Sequence, residues 1–282
     1  MVVIQNESGE HVQPDTINHR GEKLFVLKCD FHAHFIEYHP NPMYTMRTLH
    51  AAGYDCIALT DHNHLLTGLE MERRFAASAR EEFGDDFLVI VGEEVTMDDT
   101  ANSGHECIHV LSLFAEHHVD TLIDKEPYSR FMPVAEAMPK VRDAGGLMFL
   151  NHDIFSNYYA KVPLDTRWPH RGAYDIDGWE VGNGSVGDWL KDDRFPTTLE
   201  NNLCLEDPAA ALDEGYILLS NTDLHCELPG LGMRSEYHNL VFAKERSLAG
   251  VREALEARRN VAVCGHQRIG LPESLALLPD GQ

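Results

Sequence analysis

The chain has 282 residues, a formal net charge of −23 and 43% hydrophobic residues, enough for one large domain with a substantial core. Such an acidic balance argues against binding the phosphate backbone of a nucleic acid duplex. No run approaches the roughly 18 apolar residues that a membrane-spanning helix requires.

The opening segment, 1–20, reads as peripheral, and it lacks the basic stretch and apolar run of a secretory signal. Beyond it, short apolar runs alternate with helix-like stretches. Strands are predicted at 25–31, 56–60, 87–95, 109–114, 147–150, 178–181, 217–220, 239–242 and 261–264. Helices are predicted at 43–52, 67–83, 133–144, 208–213 and 247–259. Ser247 suits an N-cap, Pro133 a first helical turn, and Gly53, Gly145 and Gly146 helix C-termini. This alternation predicts a mostly parallel sheet, closed or open, in one domain spanning 21–270 with a tail at 271–282. Region 157–208, irregular and rich in Pro, Gly and Asp, is expected to supply loops that shape substrate access. Six scattered cysteines without a C-x-x-C pair predict reduced thiols and a cytoplasmic protein.

Seventeen histidines exceed what packing demands, and their placement is more telling than their number. Asp30, His32 and His34 close the first strand; Asp61 and His62 close the second; Glu93 and Glu94 end the third. His109 opens the next strand, Asn151 and His152 follow the run LMFL, and Asp223 and His225 follow ILLS. Strand ends are where parallel α/β folds place their chemistry.

In an extended chain, residues two apart point the same way, so His32 with His34, and Asp223 with His225, can each reach one ion. Neutral imidazole is a favoured ligand for Zn, Mn and Fe. Asp61 and His62 are adjacent and would need a turn to converge; Asp61 can ligate, orient an imidazole or cap the following helix. Of the adjacent Glu93 and Glu94, at most one should enter a site, where a bridging carboxylate balances charge between cations. Each of these features alone also suits an ordinary surface or capping role; together, at successive strand ends, they point to a metal cluster. Arg234, after the last cluster, suits either an anionic substrate or a surface salt bridge. His117, His118, His170, His238 and His266 have no partner pattern and read as ordinary. No nucleophile elbow, Walker loop or dinucleotide fingerprint is present.

The ordered segments DFHAH, LTDHN, VGEEVT, IHVLSLF, LNHD and SNTDLH resemble the PHP family, named for polymerase and histidinol phosphatase domains. WEVGN and the closing NLVFAKERSLAGVREALEARRNVAV are similar to its stand-alone branch, which includes carbamate-hydrolysing members. The resemblance implies an α/β fold, a distorted (β/α)7 TIM-like barrel, holding two or three divalent ions (Mn, Zn or Fe). One ion would take His32, His34, Glu94 and Asp223; another would share Glu94 and take His109 and His152. The last would take His62, His225 and His39, with Glu37 competing for that final place and His105 competing with His109. Asp61 and Arg234 are the candidate catalytic residues.

The implied activity is hydrolysis of a small anionic phosphate ester by a metal-bridging hydroxide. Two alternatives stand beside it: hydrolysis of a carbon ester or carbamate at the same site, and a non-catalytic metal-binding module. An amidohydrolase barrel also begins with H-x-H, but it lacks the D-x-H ending and usually relies on a bridging lysine, for which no strand end offers a candidate.

Overall fold

A computed structural model describes residues 5–6, 15–36, 41–101, 105–124, 129–152, 175–185, 203–205, 207–225 and 236–278. Glu37, His39, Arg234, His170 and most of 157–208 therefore lie outside the described residues, as do the ends of the chain.

Among the described residues the strands are β1 (Gln5–Asn6), β2 (Thr16–His19), β3 (Glu22–Asp30), β4 (Cys56–Leu59), β5 (Leu88–Asp99), β6 (His105–Leu113), β7 (Leu122–Asp124), β8 (Arg130–Phe131), β9 (Leu147–Leu150), β10 (Gly178–Asn183), β11 (Ile217–Asn221), β12 (Tyr237–Ala243), β13 (Asn260–Cys264) and β14 (Gln267–Gly270). The helices are α1 (Pro42–Ala51), α2 (Glu70–Phe83), α3 (Val134–Asp143), α4 (Pro208–Asp213), α5 (Leu248–Glu256) and α6 (Pro272–Leu275). Their starts follow local chemistry. Asn41, Asp207 and Ser247 each accept a first-turn N–H, from Tyr44, Ala210 and Gly250 respectively, and Pro42 and Pro208 occupy first helical positions where no N–H is needed.

Seven strands in the order β3-β4-β5-β6-β9-β10-β11 form a nearly closed, barrel-shaped sheet. The last returns to the first through a parallel bridge between Ala33 and Leu224, and through Phe31 N–H donating to Asn221 Oδ1 at 3.0 Å. β12, β13, β14 and β1 extend this sheet beyond β3, and Leu275, Leu277 and Leu278 pack in the apolar cluster on that extension.

The sheet is less parallel than its sequence predicts. Arcs β3-β4-β5 and β9-β10-β11 are parallel, but β6 runs antiparallel to both neighbours, and β12 to β14 are antiparallel throughout. Chain length is the reason. From Asp99 to His105 there is no room for a crossover, which takes roughly a dozen residues, so β5 turns back directly as a long hairpin. His109, expected to open a strand, therefore lies well inside β6.

Alternation along the strands sets the site on its floor. Leu88 and Ile90 on β5, Leu111 and Leu113 on β6, and Phe149 on β9 pack together as buried core. Continuing the period of two upward replaces them by Glu94, His109 and Asn151, so one face of each strand is apolar below and polar above. Gly92 separates the layers on β5. A Cβ there would meet Ser112 O at 2.6 Å, so any larger residue would push β6 away.

α2 turns Glu72 and Ala79 inward, both fully buried. Neither Glu72 carboxylate oxygen has a hydrogen-bond partner among the described residues. Burial, with Asp61 and Glu93 adding to it, pushes this carboxyl up to about 7. A pKa above its unfolded value of about 4.3 means stability is lost as pH rises through the interval up to 7. Glu72→Gln is therefore expected to raise thermal stability at pH 8, by about 1–3 kcal/mol, and to change little at pH 4.5. Equal melting shifts at the two pH values would contradict this.

Candidate metal centre

Polar residues on or just beyond six barrel strands converge on two acids. Glu94 Oε1 lies 2.9 Å from His109 Nδ1, 3.1 Å from His152 Nε2 and 3.3 Å from His32 Nε2. Glu94 Oε2 lies 3.2 Å from His62 Nε2 and 3.3 Å from His34 Nε2. Asp223 Oδ1 lies 3.3 Å from His32 Nε2, 3.4 Å from His34 Nε2 and 3.1 Å from His225 Nδ1. The rings pack closely, with centroids 4.1 Å apart for His34 and His225 and 4.4 Å for His34 and His62.

Four groups have donor atoms that all lie within 4.8 Å of one another: His32–His34–Asp223, His32–Glu94–His152, His62–Glu94–His109 and His34–His62–His225. The His/Glu/Asp set is of the kind that holds divalent ions. His32 Nε2 and Glu94 Oε2 are buried and make no hydrogen bond with described residues, although each faces the cluster. A buried polar atom left in this way fits a cation, which needs the lone pairs and supplies no competing donor.

Electrostatics tells the same story. Burial works against the His32 imidazolium, yet Asp223, Glu94 and Glu180 hold its pKa well above the usual value. Burial likewise opposes the His109 imidazolium, but Glu94 and then Cys107 overcome it and raise the pKa to about 10. Burial would raise the carboxyls of Glu94 and Asp223; the surrounding imidazoles, His109 first for Glu94 and His32 first for Asp223, hold both well below the carboxylate range. The protons occupy the negative potential in which cations would bind.

Other acids hold the cluster in place. Asp30 accepts from His32 N–H at 3.3 Å and from Thr222 N–H at 3.1 Å, tying the end of β3 to the segment after β11. Asp61 Oδ1 accepts from the backbone N–H groups of Phe35 and Ile36, at 2.9 and 2.8 Å, fixing the turn beyond His34. The adjacent glutamates part as alternation requires. Glu93 faces away from Glu94, accepting from Val119 N–H at 2.9 Å and pairing with His118 Nδ1 at 2.7 Å. His118 thus has a partner that sequence spacing did not reveal. His152 and Asp223 adopt φ values of 22° and 50°, a strained region for such residues. Glu180 grips the first through His152 N–H, and Ser185 Oγ–H donates to the Asp223 carbonyl at 2.7 Å. His105 pairs with Asp99 at the far end of the β5–β6 hairpin, four residues from His109.

Glu180 is the residue that sequence reasoning missed. It is 1% exposed, and its Oε1 accepts from His32 Nδ1 and Asn221 Nδ2, both at 2.9 Å. Its Oε2 accepts from His152 N–H at 3.0 Å and Asn183 Nδ2 at 2.8 Å. It stands in the apolar strand WEVGN with no histidine near it in sequence; an acid amid a strand buried throughout is the signal that was available. A glutamine here would turn an NH2 against two donors. Glu180→Gln is expected to weaken ion binding by about 10–100-fold, measured by competition with a chelator. Unchanged affinity would show that His32 needs no such anchor.

No family model matches the sequence, and no curated protein is similar to it. Solved structures do share its fold. One is a two-domain Bacteroides vulgatus protein containing a predicted PHP-like metal-dependent phosphoesterase, at 23% identity and a TM-score of 0.62 over 95% of this chain and 73% of that one. Another comes from Bifidobacterium adolescentis and is named for an inferred metal-dependent phosphoesterase activity; it aligns at 14% identity and a TM-score of 0.51 over 70% and 87% of the two chains. The lesion-specific endonuclease EndoQ of Pyrococcus furiosus aligns at 16% identity and a TM-score of 0.51, over 87% of this chain and 58% of that enzyme. Likeness at these identities is likeness of fold. No helix among the described residues is long and apolar enough to cross a membrane.

Proposed function

We propose that this chain, built on the barrel of PHP-type proteins, is a metal-dependent hydrolase, and that its substrate is a small phosphate ester. The observation that carries this reading is the meeting of six imidazoles from five separate segments around Glu94 and Asp223. In this reading His32, His34, His62, Glu94, His109, His152, Asp223 and His225 are ligands of two or three divalent ions, and His39 completes the set. Bound ions of this kind supply Lewis acidity and activate water near neutral pH.

The chain's own residues do the rest. Glu94 faces five imidazoles through both of its oxygens, which suits a carboxylate that neutralises adjacent cations. Asp223 does the same for His32, His34 and His225. Asp30, Asp61 and Glu180 fix the backbone and the ring orientations, so little rearrangement accompanies the reaction. Asp61 holds the turn after His34; its role as a proton donor and the role of Arg234 in binding an anion are assignments from the sequence. With a net charge of −23, the surface repels long polyanions, so a small ester suits it better than duplex DNA.

Elemental analysis of the purified protein, followed by assay against phosphate monoesters, diesters, cyclic phosphates and carbamates, tests the reading. Bound divalent metal with turnover of a phosphate ester is the expected result. Hydrolysis confined to the carbamates would replace the substrate class. Full metal occupancy without any turnover would leave a binding module.

A further inference from the structure

Cys107 stands two residues before His109 on β6 and is exposed. Its Sγ lies 3.2 Å from His109 Nε2, while Nδ1 of the same ring lies 2.9 Å from Glu94 Oε1. The imidazole is thus strung between a buried carboxylate of the cluster and a thiol at its rim. An imidazole that gives one nitrogen's lone pair to a cation carries its proton on the other nitrogen, and that N–H needs an acceptor. For His32 the acceptor is Glu180. For His109, the atom within reach among the described residues is the Cys107 sulfur.

We propose that Cys107 is the positioning residue of His109: its sulfur receives the Nε2–H and so leaves Nδ1 for the ion shared with Glu94. The inference rests on the metal-centre reading. With an ion bound, Nδ1 would give its lone pair and Nε2–H would donate to Sγ. The sulfur can accept that N–H. A serine hydroxyl has the same property and an alanine methyl does not.

Wild type, Cys107→Ala and Cys107→Ser would each be titrated with zinc against a competing chelator, with circular dichroism to check folding. Wild type would also be loaded with cobalt for its absorption spectrum. The expected result is a loss of about 10–100-fold in affinity for one ion in Cys107→Ala, recovery in Cys107→Ser, and no sulfur-to-cobalt charge-transfer band in wild type. Equal zinc affinity in Cys107→Ala and wild type would overturn the proposal, as would failure of serine to restore it. A charge-transfer band would overturn it differently, making the sulfur a ligand. Wild type that binds no zinc would remove the metal centre itself, an outcome distinct from loss of the thiol's role.

Discussion

Glu94→Gln is expected to abolish turnover, by about a thousand-fold or more, while the barrel stays folded. The effect is this large because one carboxylate faces five imidazole nitrogens within 3.3 Å. A glutamine keeps the shape but brings no charge, and its NH2 would point at nitrogens whose lone pairs are needed for cations. Two of the four groups that could hold an ion contain Glu94, His32–Glu94–His152 and His62–Glu94–His109, so in the proposed reading binding at these two should be lost. Folding should survive: the apolar layer below, from Ile90 to Phe149, does not depend on the acid. The check is metal content by elemental analysis beside kcat and far-ultraviolet circular dichroism. Normal metal content with normal kcat would remove Glu94 from the centre.

Much of this arrangement can be read from one dimension. Apolar runs ended by His32, His62, His152 and Asp223 mark strand ends, whereas Glu94, expected to end its strand, lies inside β5, which runs on to Asp99; on one face a strand that is buried below and polar above must change composition at one point along its length. The run 147–150 and the helix 208–213 fall where the sequence places them. Strand direction is another matter. Alternation is the same in parallel and antiparallel strands, so only the short link between β5 and β6 betrays the hairpin, and that link is visible only once both strand ends are known. Glu180, Glu93 with His118, and Cys107 with His109 are contacts of the folded chain. The first joins residues 148 apart, a distance at which no local spacing rule operates. Cys107 does have the two-residue spacing that marks the ligand pairs, but a thiol at an exposed strand position reads as incidental until its ring partner is placed.

The protonation states of the metal-free cluster lead to the other large effect, the dependence of ion binding on pH. His109 at about 10 and His32 well above its usual value are raised above their unfolded value, near 6.5. They contribute stability that is complete below about pH 6.5 and is lost as pH rises through their folded values. Glu94 and Asp223 are depressed, so their contribution is present above about pH 4 and disappears as pH falls through their lower folded values. The metal-free protein should thus be most stable in mildly acidic solution, where imidazolium and carboxylate pair. A cation must displace those protons, so its affinity rises with pH. At an ion concentration a hundred times the dissociation constant, binding to the folded state adds about 2.7 kcal/mol, or about 5–10 °C for a chain of this size. Zinc or manganese is therefore expected to raise the melting temperature by about 5–10 °C at pH 8 and scarcely at all at pH 5. Loading at pH 8 in weak buffer should also release protons, which a pH indicator records. A metal-induced shift as large at pH 5 as at pH 8, with no proton release, would mean that ions bind somewhere other than among these histidines.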